Sequence, residues 1–266
     1  MSDKLPDHIS HTQAQLWLRC QRQYFYRYLQ GVIIPPSGAL VIGGSTHRAT
    51  EHYCRQRALT GQTEPKDVVL DVYDHNFRKQ APEALWDTEK PAQAKDRGYH
   101  ALAKYYDEQL TLVTPASEED VERRVYLDIG AGVNVLMYLD VRDVEGRVIE
   151  FKTTKSKPSE LPADTRLQLW LYQHALRKVY PELLVAESQA HYIVSNPRNP
   201  TKPQVELFPT PDPDQQEMGW WLRILIQIRK QMEAALRSGD FLPAAQGGWV
   251  CSEKWCGYRD LCQKDF

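Results

Sequence analysis

An α/β fold, a mixed sheet flanked by helices, is predicted by three features of this chain. Between Val121 and Thr154, runs of alternating apolar and polar residues separated by Gly-containing turns read as three strands of an antiparallel meander. Helical spacing then returns from about Ala163 to Val179, followed by the strand-like run AHYIVS. Further helical patterns stand near the N-terminus and from Asp214 onward, which supplies the flanking layers.

Taken in order, Ser10 with Gln13 three residues later reads as a capping box, opening a helix through roughly Tyr28 with Leu16, Cys20, Tyr24 and Tyr28 at helical spacing. A loop with Pro35, Pro36 and Gly38 follows, and Gly43 and Gly44 precede a helix from Ser45 to about Leu59. Residues from about 60 to 117 are polar and helix-rich, and read as a helical insertion. The strands are VERRVYL, VNVLMYLDVRD and RVIEFKTT, with turns at DIGAG and at Glu145 and Gly146. Leu167, Trp170, Leu171 and Ala175 form the apolar stripe of the next helix, and QVELF reads as an edge strand. A long amphipathic helix runs from Asp214, its N-cap, to about Arg237, with Gly239 just past its end and a Cys-rich tail over about 240–266.

At 266 residues the chain is roughly 1.8 times the ~150-residue domain norm, so residues 1–266 are expected to form one domain carrying the insertion. The balance of 42% hydrophobic and 26% charged residues excludes collagen-like, wholly disordered and coiled-coil architectures. No run approaches the ~18 apolar residues of a membrane span, and the first residues lack the apolar stretch of a signal peptide, so a cytoplasmic protein without membrane partners is expected. The net charge of −2 gives no global support for nucleic-acid binding, which leaves only local patches. Five cysteines, an odd number, point to metal or cluster ligation rather than a disulfide framework.

Asp140 lies near the end of one strand, and Glu150 and Lys152 stand two apart on the next, hence on one face. The turn at Glu145 and Gly146 folds the two strands together and brings Asp140 near Glu150. Two carboxylates and an ammonium in a small volume suit Mg²⁺ or Mn²⁺ and phosphodiester hydrolysis; solvated hairpin charges are the bland alternative. Ile149 and Phe151 point to the opposite face, as a buried sheet requires.

At these residues the chain resembles the RecB-like exonuclease branch of the PD-(D/E)XK nuclease superfamily, and in particular its iron–sulfur members, similar to CRISPR-associated and AddB-type nuclease domains. The G-x-x-x-H element stands as Gly43, Gly44, Ser45, Thr46 and His47, and the acidic residue after a strand as Asp140. The (D/E)-x-K motif is Glu150, Phe151 and Lys152; Q-x-x-x-Y runs from Gln168 to Tyr172, and C-x-x-x-Y from Cys20 to Tyr24. The resemblance implies a restriction-endonuclease-like core in which His47, Asp140, Glu150 and the Phe151 carbonyl bind Mn²⁺ or Mg²⁺ and Lys152 aids attack. Gln168 and Tyr172, one helical turn apart, would touch DNA or order the lysine. Glu122 sits where related enzymes often carry a glutamate. Met137 departs from the glycine common three residues before the aspartate.

The resemblance also implies that Cys20, Cys251, Cys256 and Cys262 hold a 4Fe-4S cluster joining the chain ends. Four intervening residues separate Cys251 from Cys256 where many relatives have two, and zinc is the chemical rival. Cys54 is expected to be a buried thiol with no role. Arg19, Arg22 and Arg27, interleaved with Tyr24, Phe25, Tyr26 and Tyr28, and the series Lys152, Lys155, Lys157 are candidate DNA contacts, against core packing for most of the aromatics. The expected function is a metal-dependent DNA exonuclease acting on single strands or DNA ends, in recombination, repair or CRISPR-type processing, with possible protein partners there. The alternative is a non-catalytic DNA-end-binding module stapled by a cluster or zinc.

Overall fold

The computed structural model describes residues 4–87 and 89–265. The chain divides into two compact units, one of Met1–Ile34, Tyr126–Met137 and Asp214–Phe266, the other of Pro35–Val125 and Tyr138–Pro213. A five-stranded sheet has the order β1 (Val121–Asp128), β2 (Asn134–Arg142), β3 (Val148–Thr154), β4 (Ser188–Val194), β5 (Gln204–Thr210). β2 and β3 are antiparallel, β3 and β4 parallel, and β4 and β5 antiparallel, so the sheet is mixed, as expected. The parallel step requires a crossover, supplied by α6 (Ala163–Val179) with the bounds that its periodicity predicts.

In the second unit, α3 (Gly38–Thr60), α4 (Lys66–Gln80) and α5 (Pro91–Glu108) form a helical layer. Val41, Ile42, Tyr53, Tyr73 and Tyr105 pack there with Ile149, Phe151 and Ile193 in one buried cluster. This is the apolar face of β3; Glu150 and Lys152 take the other. The 60–117 segment is thus helical, and Gly98 is what lets α5 approach α4, because a Cβ there would stand 2.0 Å from Tyr73 Oη. Arg97, 1% exposed, donates to Glu89 Oε1 at 2.8 Å and to the Ser195 carbonyl at 2.7 Å, fastening α5 to the end of β4.

Two helix boundaries differ from expectation. The third helix begins at Gly38, not Ser45, with the Ser37 hydroxyl accepting from Leu40 N, so Gly43 and Gly44 lie inside it. Each glycine costs a helix interior about 1 kcal/mol, but packing favours their small size: a Cβ on Gly43 would be 3.0 Å from Thr153 Oγ1. The first helix ends early. After α1 (His11–Arg19), Cys20 adopts an extended conformation, and α2 (Gln21–Tyr24) leads into a π-helical turn over Phe25–Leu29. Tertiary bonds override the helical spacing, since Arg22 N donates to Leu242 O and Leu242 N to Gln21 Oε1. Ser10 does cap α1 through Gln13 N at 3.1 Å.

The first unit also contains α7 (Gln215–Ser238), capped by Asp214 and ended by Gly239 at φ 82, and the short α8 (Arg259–Lys264). Tyr26 stacks on Tyr258 at 5.6 Å, and Gly257 admits Ile34, whose Cγ2 would be 2.5 Å from a Cβ. Among the described residues, no helix is long and apolar enough to cross a membrane.

Candidate active site

The β2–β3 register pairs Val141 with Ile149 and Arg142 with Val148, which sets Asp140 and Glu150 at the same level on adjacent strands. Asp140 Oδ2 accepts from the Phe151 backbone N–H at 2.7 Å, so one carboxylate oxygen is spent orienting the side chain. Its other oxygen, Oδ1, lies 2.7 Å from His47 Nε2 on α3. Glu150 is divided more unequally. Its Oε1 accepts from Lys152 Nζ at 2.7 Å and from Gln168 Nε2 at 3.0 Å, while Oε2 is buried without a hydrogen-bond partner. Burying an acceptor unsatisfied costs on the order of 1–3 kcal/mol, a cost that a cation would remove.

Lys152 Nζ is held from a second side by Gln168 Oε1 at 2.9 Å, and Gln168 Nε2 also donates to Tyr172 Oη at 2.5 Å. Gln168 and Tyr172 thus face β3 from α6 as one relay. Tyr172 is buried at the back of that relay, and neither it nor Gln168 lines the cleft in front of the carboxylates. That cleft, of about 670 Å³, is lined by His47, Glu122, Asp140, Glu150, Phe151 and Lys152 together with Gly43, Gly44, Arg48, Asn76 and Gln80.

The electrostatics follow from this crowding. Burial opposes charge on His47, but hydrogen bonds to Asp140 and Glu122 override it and push its pKa up to about 11. Burial, and then the Asp140 charge, push Glu150 up to about 7. For Lys152, burial disfavours the ammonium and Glu150 more than offsets it, so its pKa stands above the ordinary value. The Tyr172 phenol is raised well above its ordinary value, by burial first and then by Glu150.

Glu122 approaches His47 Nε2 at 3.1 Å from a left-handed backbone, φ 54. Such a conformation in a non-glycine residue costs about 1–3 kcal/mol and persists only where surrounding structure enforces it. Glu51, one turn beyond His47 on α3, was not singled out from the sequence. Its carboxylate, His47 and Glu122 offer ligand atoms all within 4.8 Å of one another. Burial favours its protonated form, yet hydrogen bonds from Arg55 and Arg48 hold its pKa below the ordinary value. The i, i+4 step from His47 to Glu51 was the available signal. Asn76 and Gln80 were also missed, because nothing in a polar helix marks which residues reach a cleft.

Hard carboxylate oxygens, an imidazole and an orphaned buried oxygen fit Mg²⁺ or Mn²⁺. A second site is built by the cysteines of the first unit. Cys20, Cys251, Cys256 and Cys262 all line one cavity of about 290 Å³, and all five cysteines are free of disulfides. Burial, then the neighbouring Cys20, Cys256 and Cys262, raise the pKa of the Cys251 thiol. Four thiols on one cavity are a ligand set for a metal centre. Cys54 is fully buried on α3, and burial pushes its thiol up.

The arginines and aromatics between Arg19 and Tyr28 make pairs within the first unit. Arg22 pairs with Asp265 at 2.9 Å and lies over the Tyr26 ring, Tyr24 and Tyr26 are buried, and Arg27 stacks on Tyr28. Packing accounts for Tyr24 and Tyr26, while Arg19 and Arg27 are exposed. Lys157 pairs with Glu206 at 2.6 Å, whereas Lys155 is exposed.

No curated protein matches the chain. Among solved structures, one described as a "Putative exonuclease" from Eubacterium rectale aligns with a TM-score of 0.60 at 10% identity, covering 94% of this chain and 87% of that one, a likeness of fold. SSO0001 aligns over 99% of this chain and 89% of its own with 14% identity, and its TM-score of 0.42 is too low to carry an argument. The family model of the PD-(D/E)XK nuclease superfamily matches residues 8–263, a span that runs from before the Ser10 cap into α8. With its mixed sheet and the Asp140, Glu150, Lys152 arrangement on β2 and β3, the chain belongs to the PD-(D/E)XK nuclease superfamily.

Proposed function

We propose that this nuclease is a metal-dependent deoxyribonuclease of the exonuclease type, hydrolysing phosphodiester bonds on single-stranded DNA or at DNA ends, in recombination, repair or CRISPR-type processing. The observation that carries this reading is the division of the two carboxylates. Asp140 accepts from the Phe151 N–H through Oδ2 and pairs with His47 through Oδ1, whereas Glu150 keeps Oε2 buried and unpaired, and the three side chains line one cleft. Asp140, Glu150, His47 and the Phe151 carbonyl would hold Mg²⁺ or Mn²⁺. Such an ion, when bound, acidifies water and stabilises charge on a phosphoryl oxygen.

The remaining chemistry belongs to the chain. Lys152 keeps its proton at neutral pH and presents an ammonium beside Glu150, where it orients the attacking water or neutralises charge developing on the phosphate. Gln168 fixes that ammonium through Oε1 and Glu150 through Nε2, and Tyr172 fixes Gln168. Gln168 and Tyr172 therefore act on the reaction through Lys152 and Glu150.

The second part of the proposal is that Cys20, Cys251, Cys256 and Cys262 hold a 4Fe-4S cluster, which would set the chain in the iron–sulfur branch of the RecB-like nucleases. Four thiolates are also the ligand set of one zinc ion, so metal analysis of the protein separates the two. The four cysteines reach one cavity from both ends of the first unit's chain, which supports ligation of one shared centre.

The test is degradation of end-labelled single-stranded and duplex DNA with Mn²⁺ or Mg²⁺, with and without chelator, on protein purified without oxygen. Metal-dependent shortening from the ends is expected, along with brown protein containing iron and sulfide. DNA binding without turnover in either ion would reduce the chain to an end-binding module. Colourless protein with one zinc and no iron would replace the cluster with a zinc staple and leave the nuclease standing.

A further inference from the structure

We propose that Arg19 and Gln23 form a relay that delivers a hydrogen bond to the Cys256 sulfur and so tunes the metal group held by the four cysteines. The inference rests on the reading of that cavity as a metal site and goes beyond it by assigning two residues that are not ligands. Gln23 is 6% exposed, and its Nε2 donates to Cys256 Sγ at 3.3 Å. The two ends of a glutamine amide have the same shape, so its orientation must come from its partners. Here it does: Arg19 Nη2 lies 3.0 Å from Gln23 Oε1, and a guanidinium is only ever a donor. The carbonyl end is therefore turned to Arg19 and the NH₂ end to the sulfur.

A thiol sulfur is a weak acceptor; a thiolate accepts well, because a hydrogen bond to an ionised group is roughly twice as strong as a neutral one. A buried amide aimed at Cys256 thus marks this sulfur as one built to carry negative charge. Cys20 is served in the same way, by the Ala244 backbone N–H at 3.3 Å. Cys251 is treated oppositely: its S–H donates to the Ala244 carbonyl at 3.4 Å. The four ligands are therefore unequal, and Gln23 is the side chain that makes Cys256 one of the strong ones. Donors to the sulfurs stabilise the more negative, reduced state of an iron–sulfur group and raise its potential. Gln23 and Arg19 are positioning residues in this scheme.

The test uses the full chain carrying Gln23→Met, which keeps length but removes the donor, or Arg19→Met, which frees the amide to turn. On anaerobic protein with unchanged iron content and far-ultraviolet spectrum, the midpoint potential is expected to move to more negative values for Gln23→Met, and by less for Arg19→Met. An unchanged midpoint in both overturns the proposal. The metal-free chain gives a second measurement that does not require iron: titration with Co²⁺, followed by sulfur-to-cobalt absorption. Gln23→Met is expected to weaken Co²⁺ binding about tenfold, the low end for loss of a hydrogen bond to a ligand. Cobalt–thiolate absorption with equal affinity in wild type and variant overturns the relay alone. No such absorption in the wild type overturns the metal reading as well.

Discussion

Gln168 Nε2 donates to Glu150 Oε1 at 3.0 Å, reaching from α6 across to β3 to saturate one oxygen of the carboxylate and leave the other buried and unpaired. The same side chain accepts from Lys152, so one amide sets the geometry of both charged groups. Gln168→Met should therefore lower kcat about ten- to a hundredfold while KM for DNA stays near its wild-type value, since the loss falls on groups acting in the transition state. Steady-state kinetics on a labelled oligonucleotide would check this; a raised KM with unchanged kcat would make Gln168 a substrate contact instead.

Glu150→Gln is expected to cut cleavage by at least about a hundredfold, because it removes an anionic ligand of the cation whose charge would be worth several kcal/mol at the reacting phosphate. The protein should remain folded. Glu150 has a pKa of about 7 in the folded chain against 4.5 for the free side chain. The folded state thus binds more protons between these values. Its contribution to stability is full below about 4.5 and is lost as pH rises through about 7. Without divalent ions, Glu150→Gln should gain on wild type across that window, by a few kcal/mol at most. Urea midpoints of both proteins at pH 5 and pH 8 measure it, and a constant gap would refute the assigned burial of charge.

His47 stands as an imidazolium between Asp140 and Glu122, with a pKa of about 11 in the metal-free chain. A cation taken up by His47 and Asp140 must displace that proton, and near pH 7 part of the Glu150 proton too. Mn²⁺ affinity should therefore climb about tenfold per pH unit for each proton released. Calorimetry at pH 7 in buffers of different ionisation enthalpy would count those protons. His47→Ala should lower the count by one, depress activity most at low metal concentration and shift preference from Mn²⁺ toward Mg²⁺. Identical proton counts for the two proteins would return His47 to a purely structural role.

Much of this site is legible in the sequence because it depends on short-range rules. The period of two places Glu150 and Lys152 on one face, the turn at Gly146 sets Asp140 beside Glu150, and the period of 3.6 stacks Gln168 on Tyr172. What sequence did not disclose was decided by contacts distant along the chain. Cys20 breaks its helix because residues 242–244 bond to it and its neighbours, and a glycine suits position 43 inside α3 because a Cβ there would crowd Thr153. Glu51 belongs with His47 and Glu122 through a contact between α3 and the start of β1, where Glu122 stands at positive φ, and no residue pattern announces either. The aromatics near Cys20 were ambiguous for the same reason, since stacking on bases and stacking on a C-terminal tail call for the same side chains.

Gly98→Ala should destabilise the chain by about 1–3 kcal/mol, the range for overpacking a filled interior. The added methyl meets Tyr73 Oη and lies 3.0 Å from Ile42 Cγ2, and neither side chain is at a surface where it can yield. Gly61→Ala offers the contrast: its site is open, and strain comes only from its φ of 70. Urea titrations of the two variants separate crowding from backbone strain, and a Gly98→Ala midpoint equal to wild type would contradict the close α4–α5 packing.

The five cysteines should separate into two classes. Cys256→Ser removes a sulfur that lines the cavity, accepts from Gln23 and packs beside Tyr26 and Tyr258. It should abolish iron retention and the visible colour, and it should lower stability, because ligation closes a loop from Cys20 to the tail and restricts the unfolded chain. Cys54→Ser alters a thiol that is as deeply buried but lies on α3 among Tyr53 and Tyr105, outside the cavity. It should cost about 1–3 kcal/mol by burying a hydroxyl and leave iron, sulfide and colour as in the wild type. Iron analysis beside thermal melts distinguishes the classes: iron lost from Cys54→Ser, or kept in full by Cys256→Ser, would show that the ligand set has been assigned to the wrong cysteines.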